Sequence, residues 1–438
     1  MRLYLRMKAM GITLLTFLAC FTAASAALLP AGGLPLRKYA RTGITRTALD
    51  DYVDKPDSNY AFNVVREEEG LGFTAVFVNM TSQQWLSPQL VSRSVWFHGL
   101  VIMIPHNIVD DEHAFLYITG GGNDNPDNIF CKLTDEDCAL GGALALASGT
   151  VSAVLFQIPN SHIVFTEDPS HKSRSEDAII AWTWFHFINN PQDSEWLLRL
   201  PMTKASVRAM DTVQQVINQR LGKNIEKFCV AGASKRGWTT WTTTIVDTRV
   251  IGSIPMVMDL LNFVNSTHHH YRALGGWTFA FSDYYQLNFT GELDNPGTQL
   301  MADIIDPYNY KDRLTMPMML MTSSGDEFFM PDDSHWYFKE LIQPKFMRVV
   351  GNAEHSLAEH LLQEVSCCRG FPPDCDSLYR CRALSAFTST FSPGRPYLSS
   401  HGFLTKIRAQ SLSIARTCRR VSSSTTPGRS PALAGTSA

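Results

Sequence analysis

The chain lacks a long apolar run beyond its N-terminus, a strong excess of charge of one sign, and the paired cysteine spacing of a zinc site. After residue 26, no stretch reaches 18 uninterrupted apolar residues, so we expect no membrane span. The net charge is −3 over 438 residues, which gives no sign of a nucleic-acid partner. None of the nine cysteines forms a CxxC pair. We therefore expect neither a metal nor another cofactor.

The N-terminus has the pattern of a cleaved signal peptide covering residues 1–26. Arg2, Arg6 and Lys8 precede a short apolar run, and residues 24–26 (ASA) form a small-x-small cleavage site. A membrane anchor is the alternative interpretation, but the run is too short to cross about 30 Å of hydrocarbon. We therefore expect a secreted, extracellular protein.

Three sequons and one pair of cysteines agree with export. Asn79, Asn265 and Asn288 each begin an Asn-x-Ser/Thr sequence, which is a glycosylation acceptor in secreted proteins. Cys131 and Cys138 bracket an acidic loop. In an oxidising compartment these two cysteines are candidates for a small disulfide.

Sequence patterns divide the chain into a domain and a tail. In residues 27–366, apolar strand patterns alternate with helical patterns, as in a mostly parallel sheet with helices on both faces. Residues 261–312 form an insertion rich in Tyr, Phe and Asn, which by analogy follows the sixth strand and caps the active site. Residues 367–438 carry a net charge of +8, from nine Arg and one Lys against two Asp, and are rich in Ser and Pro. This composition predicts a disordered basic tail.

A candidate nucleophile lies in residues 232–237 (GASKRG), between a short apolar strand and a predicted helix. A sharp strand-to-helix turn exposes the hydroxyl of Ser234 and directs the N–H groups of the helix towards developing negative charge. The motif departs from G-x-S-x-G, because Arg236 stands where the second glycine belongs and Gly237 comes one residue later. A structural glycine turn with a capping serine is the alternative interpretation.

A carboxylate and a histidine follow later predicted strands. Asp326 comes after the strand pattern ending near residue 322, and His355 follows the last strand pattern. The order Ser, acid, His is the one that the α/β-hydrolase fold uses, with the histidine as base and the acid orienting its ring. Asp259, after the preceding strand, is the rival acid, and His360 is the alternative base.

Backbone donors and basic side chains accompany the candidate nucleophile. The N–H of Lys235 and that of Gly121 or Gly122 are expected to form an oxyanion hole, although a glycine-rich loop is also common as a plain turn. Lys235 and Arg236 favour an anionic substrate, unless they face solvent or pair with acids. The histidine run 268–270 is predicted to be a solvated loop rather than a metal site, because consecutive side chains point in different directions.

Several long sequence words occur in an order that resembles the PhoPQ-activated pathogenicity-related family, which includes a secreted autocrine proliferation repressor. The resemblance extends from about Pro35 to Val365 and implies an α/β-hydrolase-like fold and secretion. The elbow is also similar to that of glucuronoyl esterases, which points to ester chemistry. The words that carry the family resemblance are 116–123 (LYITGGGN), 176–181 (EDAIIA), 230–238 (VAGASKRGW), 313–317 (RLTMP), 325–329 (GDEFF) and 351–355 (GNAEH).

Two hypotheses from different classes follow. The first is a secreted serine hydrolase that cleaves an ester or peptide bond, with Ser234 as nucleophile, His355 as base and Asp326 as orienting acid. The second is an extracellular signalling protein, similar to the autocrine proliferation repressor, which uses the same scaffold to act through a cell-surface receptor. Retention of biological activity in Ser234→Ala discriminates between them.

Overall fold

The computed structural model describes Tyr39, Arg41 and residues 43–125 and 129–357. The predicted signal peptide (1–26), the predicted tail (367–438) and His360 lie outside the described residues. No helix in the described part of the chain is long and apolar enough to cross a membrane.

A nine-stranded sheet forms the centre of the fold, in the order β1-β2-β3-β5-β4-β6-β7-β8-β9. The pairs β1/β2, β2/β3 and β3/β5 are antiparallel. Every other neighbouring pair is parallel. The strands are β1 (Ala61–Glu69), β2 (Phe73–Gln84), β3 (Val95–Pro105), β4 (His113–Ile118), β5 (Val151–Leu155), β6 (Lys227–Ala233), β7 (Val250–Met256), β8 (Met318–Ser323) and β9 (Lys345–Val350).

Eight α-helices are described, and they are interspersed with short segments of 3₁₀-helix. Three of the α-helices lie in the segment between β7 and β8. The α-helices are α1 (Ala48–Asp54), α2 (Glu136–Ser148), α3 (Glu176–Asn189), α4 (Arg199–Leu221), α5 (Lys235–Val246), α6 (Phe263–Leu274), α7 (Ser282–Gln286) and α8 (Pro296–Ile305).

The sheet has a core on each face. Along β2, Val76 and Val78 belong to the larger hydrophobic cluster, whereas Ala75 and Phe77 belong to the smaller one. This division follows the two-residue period of a strand, in which successive side chains point to opposite faces. Strands that are buried on both faces read as continuous apolar runs, and all five residues of β5 are buried. The predicted mostly parallel α/β sheet is therefore confirmed.

The helix predictions agree with the structure where caps and apolar spacing were clear. Ser175 precedes α3 in an extended conformation, and α4 ends at Gly222, whose φ of 64° suits a left-handed C-cap. The sequence did not predict β1, β2 or α2. Counted in chain order, the insertion at 261–312 follows β7, the seventh strand, rather than the sixth expected by analogy.

The insertion is helical, and the prediction of a solvated loop for residues 268–270 is wrong. These histidines lie on α6, and His270 is buried. The helix separates the side chains around its axis, so the three histidines have different surroundings. His268 pairs with Asp294, and His269 with Asp332.

Candidate active site

Ser234 forms the whole connection between β6 and α5. Its φ of 55° and ψ of −122° lie outside the regions that serine ordinarily occupies. The turn is held at both ends, because the Ser234 N–H donates to the Met256 carbonyl at 2.8 Å and the Trp238 N–H donates to the Ser234 carbonyl at 3.0 Å. A strained backbone is typical of a sharp nucleophile turn, and it is present at this residue.

Two glycines permit this close turn. A Cβ at Gly232 would lie 2.8 Å from the Arg236 carbonyl oxygen, and a Cβ at Gly237 would lie 2.8 Å from the Met256 carbonyl oxygen. Real Cβ atoms essentially never approach backbone atoms so closely. Gly237 therefore fills the packing role of the second glycine, although it comes one residue later than in G-x-S-x-G.

The loops after β8 and β9 are tied together at the same edge of the sheet. The two strands are parallel neighbours, so their carboxyl ends lie side by side. The Ser324 N–H donates to the Val350 carbonyl, and the Gly325 N–H donates to the Ala353 carbonyl, each at 2.9 Å. These bonds fix the turn that carries Asp326 against the loop that carries His355.

A continuous chain of hydrogen bonds joins Ser234, His355 and Asp326. The Oγ atom of Ser234 lies 2.7 Å from Nε2 of His355. On the other side of the ring, Nδ1 lies 2.8 and 2.9 Å from the two carboxylate oxygens of Asp326. The backbone N–H groups of Phe328 and Phe329 donate to Oδ1 of Asp326, at 2.8 and 3.1 Å, which holds the carboxylate in place.

Asp259, the rival acid, does not form a hydrogen bond with His355. The described side chains give His355 Nδ1 a hydrogen bond with Asp326 and none with Asp259. Asp259 is buried, and this burial, reinforced by the charge of Asp326, raises the pKa of its carboxyl to about 7. Because it makes no hydrogen bond to the imidazole, Asp259 has no direct role in orienting the ring.

The glycine-rich loop lies beside the nucleophile turn. Parallel pairing sets Ile118 opposite Gly232, so the residues that follow β4 continue alongside Ser234. A Cβ at Gly120 would collide with the Arg236 guanidinium, and Gly121 has a φ of 113° that disfavours any side chain. The turn is thus built for glycine on both steric and conformational grounds.

The basic side chains after the nucleophile pair with the first turn of α3. Lys235 Nζ lies 2.6 Å from Asp177 Oδ2 and 3.4 Å from Glu176 Oε2. Arg236 Nη2 lies 2.5 Å from Glu176 Oε1. Of the alternatives that the sequence left open for these two cations, pairing with acids is the one found.

An aromatic pocket opens at Ser234. Its walls include Trp184 and Trp238 of the main domain and Phe263 and Phe281 of the insertion. Side chains between residues 261 and 312 therefore lie over the candidate nucleophile. Most of the pocket wall is apolar, as is usual for a small-molecule site.

Sequence reasoning missed Arg199, a buried cation in the same pocket. It begins α4, which the apolar spacing predicted from Pro201 onwards. Burial lowers the pKa of its guanidinium to about 10, so it remains charged at neutral pH. An arginine inside the apolar segment 197–200 (LLRL) was the signal available in the sequence.

The other predicted sites are distributed over the domain. Asn265 and Asn288 are exposed, whereas Asn79 is half-buried within β2. Cys131 and Cys138 are joined by a disulfide, with 6.2 Å between their Cα atoms.

One trio in the described part of the chain offers metal-ligand atoms within 4.8 Å of one another, although the sequence predicted no metal site. The trio is His269, Asp332 and Asp333. Asp332 is exposed, and His269 Nε2 lies 3.1 Å from its carboxylate, so these two groups already satisfy each other.

The fold and the elbow together define a class of protein. The parallel strands, the helix after Ser234 and the polar turns after later strands are those of the α/β-hydrolase fold. Residues 49–368 match the sequence profile of the PhoPQ-activated pathogenicity-related protein family. The chain belongs to this family, as its motifs predicted.

A curated relative agrees with the family. Autocrine proliferation repressor protein A of Dictyostelium discoideum is 40% identical over 322 residues, which cover 72% of this chain and 63% of the relative. The alignment thus spans less than two thirds of the relative's length.

Two solved esterase structures resemble the chain at low sequence identity. Acetyl xylan esterase 1 from Thermoanaerobacterium sp. JW/SL YS485 is 12% identical, with a TM-score of 0.47, and the match covers 80% of this chain and 96% of that one. Acetyl xylan esterase from Paenibacillus sp. R4 is 14% identical, with a TM-score of 0.46 and coverage of 73% and 93%.

Proposed function

We propose that the protein is a secreted serine hydrolase that cleaves an ester or a peptide bond, with Ser234 as nucleophile, His355 as base and Asp326 as orienting acid. The observation that carries the proposal is the unbroken hydrogen-bond chain through these three side chains. Nucleophilic catalysis needs a hydroxyl within hydrogen-bond reach of a base and a third group that orients the base. Ser234, His355 and Asp326 meet these requirements, and Ser234 lines the aromatic pocket.

The reaction proceeds in two steps, acylation of Ser234 and hydrolysis of the acyl-enzyme. Ser234 Oγ attacks the carbonyl carbon while His355 Nε2 takes the hydroxyl proton and then gives it to the departing alcohol or amine. Water next attacks the acyl-enzyme, again losing a proton to Nε2, and the acid leaves as Ser234 regains its hydrogen. Asp326 accepts a hydrogen bond from Nδ1–H, which keeps Nε2 free to act as base.

The oxyanion donors proposed for both steps are backbone groups. The N–H of Lys235, in the first turn of α5, has no carbonyl partner within its own helix, so it is free to bind negative charge. The second donor is the N–H of Gly121 or Gly122, in the loop that continues alongside the elbow. Each donor of this kind contributes about 10²–10³ in kcat.

Labelling with a fluorophosphonate probe tests the proposal. The probe phosphonylates a serine only when its hydroxyl is activated, and tryptic mass mapping should place the adduct on Ser234. Ser234→Ala should abolish labelling, and Ser282→Ala, an exposed serine of the insertion, should preserve it. An intact, folded protein without an adduct on Ser234 would argue against a hydrolase.

Extracellular signalling through a cell-surface receptor is the second candidate function. It is favoured by the similarity to the Dictyostelium relative, an autocrine proliferation repressor. Purified wild type and Ser234→Ala should be compared on proliferating cells of the organism that makes the protein. Equal growth repression by both would support signalling without catalysis, whereas repression by the wild type alone would link it to hydrolysis.

Secretion is part of the same proposal. The residues 24–26 (ASA) support it, as do the exposed side chains of Asn265 and Asn288. After expression in eukaryotic cells, the protein in the medium should begin at Ala27 and lose mass when its N-glycans are removed. Retention inside the cells with Met1 intact would contradict secretion.

A further inference from the structure

The acids in the first turn of α3 are already engaged by the basic residues of the elbow. Both oxygens of Glu176 face Arg236 or Lys235. Oδ2 of Asp177 faces Lys235, and its Oδ1 accepts a hydrogen bond from a tyrosine hydroxyl. Arg199, the third cation near the elbow, is in direct contact with neither carboxylate.

Arg199 is the cation that makes no direct ion pair, although the charge of Asp177 acts on it from a greater distance. Among the residues that the structure describes, no carboxylate oxygen forms an ion pair with its guanidinium. Nη1 donates to the Lys235 carbonyl at 3.0 Å, while Nε is buried with no hydrogen-bond partner. The guanidinium carbon lies 4.2 Å from the centre of the Trp238 ring, so an aromatic face partly stabilises the charge.

A buried, unpaired charge is costly to a folded protein. Desolvation costs several kcal/mol per ion unless a counter-charge or further hydrogen bonds offset it. Arg199 is 3% exposed and lines the same pocket as Ser234. The guanidinium therefore belongs to the wall of the pocket that a substrate of Ser234 would occupy. The apolar surroundings there strengthen the attraction of opposite charges.

We propose that Arg199 binds a carboxylate of the substrate, so that the preferred substrates are esters carrying a carboxylate a few bonds from the scissile carbonyl. This inference rests on the proposed hydrolase function. A guanidinium fork matches the planar geometry of a carboxylate, and a hydrogen bond to a charged group contributes about 1.5–3 kcal/mol. Arg199 is a specificity residue here, since the chemical steps use Ser234 and His355.

Matched esters test the inference. Mono-4-nitrophenyl succinate and 4-nitrophenyl butyrate have acyl chains of equal length but differ in a terminal carboxylate. The pair 4-carboxyphenyl acetate and phenyl acetate places the carboxylate on the alcohol side. In at least one pair, the wild type should prefer the charged ester about 10- to 100-fold in kcat/KM.

Variants separate recognition from structure. Arg199→Met should remove the preference mainly by raising KM for the charged ester, while kcat/KM for the neutral ester changes little. Arg199→Lys should retain part of the preference, because it keeps the charge without the fork. Arg208→Met is the matched control, since it lies on the same helix and pairs with Asp211 instead. Equal losses for both esters in Arg199→Met, or no preference in the wild type, would overturn the inference.

A binding measurement tests the role of Arg199 independently of catalysis. By calorimetry, the Ser234→Ala variant should bind the preferred charged ester more tightly than its neutral counterpart. Adding Arg199→Met should abolish the difference. Charge-selective binding without turnover by the wild type would support the role of Arg199 and contradict the hydrolase proposal. Turnover without charge-selective binding would support the hydrolase proposal and contradict the role of Arg199.

Discussion

The ammonium of Lys235 lies 2.6 Å from the carboxylate of Asp177, and this partly buried pair ties the helix after the nucleophile to the first turn of α3. Burial by itself would raise the pKa of Asp177, but the charge and hydrogen bond of Lys235, with help from Tyr284 and Arg199, lower it below its usual value. The carboxylate of Asp177 is therefore ionised at neutral pH, in the wall of the pocket.

Asp177→Asn should destabilise the protein at neutral pH, because it removes the closest counter-charge of the Lys235 ammonium. Removal of one partner of a fully buried pair costs about 3–5 kcal/mol, and the loss here should be smaller because Glu176 still lies 3.4 Å from Lys235. The folded pKa of Asp177 lies below its unfolded value, so its contribution is present above about pH 4 and disappears as the pH falls through the folded pKa. Urea denaturation at several pH values should show the wild-type advantage shrinking in acid.

Asp111→Asn is the control for that experiment. Asp111 pairs with Lys223 near the surface, where the two side chains are 45% and 40% exposed. Exposed pairs contribute little because water and salt screen them. A loss from Asp111→Asn as large as that from Asp177→Asn would show that burial is not the cause.

Local chemistry explains why the nucleophile turn and its partners were predictable from the sequence. Glycines two residues before and three residues after Ser234, a strand before it and a helix after it describe the turn without any tertiary information. The order Ser234, Asp326, His355 added the partners, because each follows a strand and parallel strands end at one edge.

The missed features depend on contacts between segments that are distant in the chain. Arg199 reaches the pocket because α4 packs beside α5, and no pattern near residue 199 encodes that proximity. His270 is buried because α6 places it against Phe281 and Trp277, although a run of three histidines reads as polar. The strand β1 was missed because most of its residues are exposed, which leaves a weak apolar signal.

Asp326→Asn should lower kcat about 10⁴-fold, the usual result of replacing the acid of such a triad by an amide that favours the wrong imidazole tautomer. The same substitution at Asp259 should leave kcat nearly unchanged, because that residue does not hydrogen-bond His355. Any ester that the wild type hydrolyses can serve as the substrate. Equal losses from the two variants would reopen the assignment of the acid.

Asp259→Asn should instead change how stability depends on pH. The folded pKa of about 7 lies above the unfolded value of about 3.9. The wild type therefore loses stability as the pH rises from about 4 to about 7, since the buried carboxyl must ionise. Asn carries no charge at either pH. The variant should thus gain on the wild type over this interval, as measured by urea denaturation.

The exposed Asp312→Asn serves as the control for that pH series, since it makes the same chemical change at the surface. Its free energy of unfolding should follow the wild type across the interval. A parallel pH dependence for Asp259→Asn and the wild type would show that the carboxyl ionises as readily in the folded protein as in the unfolded chain.

The disulfide between Cys131 and Cys138 should stabilise the domain by restricting the unfolded chain. Closing a loop of about eight residues lowers the unfolded-state entropy enough to contribute roughly 2.5 kcal/mol. The double variant Cys131→Ser and Cys138→Ser should lose about this amount of unfolding free energy. Cys229→Ser supplies the control, because Cys229 is a free thiol. Peptide mapping without reductant should recover the linked pair from the wild type. Reduced cysteines at both positions in freshly purified protein, or a double variant as stable as the wild type, would contradict a stabilising role for the disulfide.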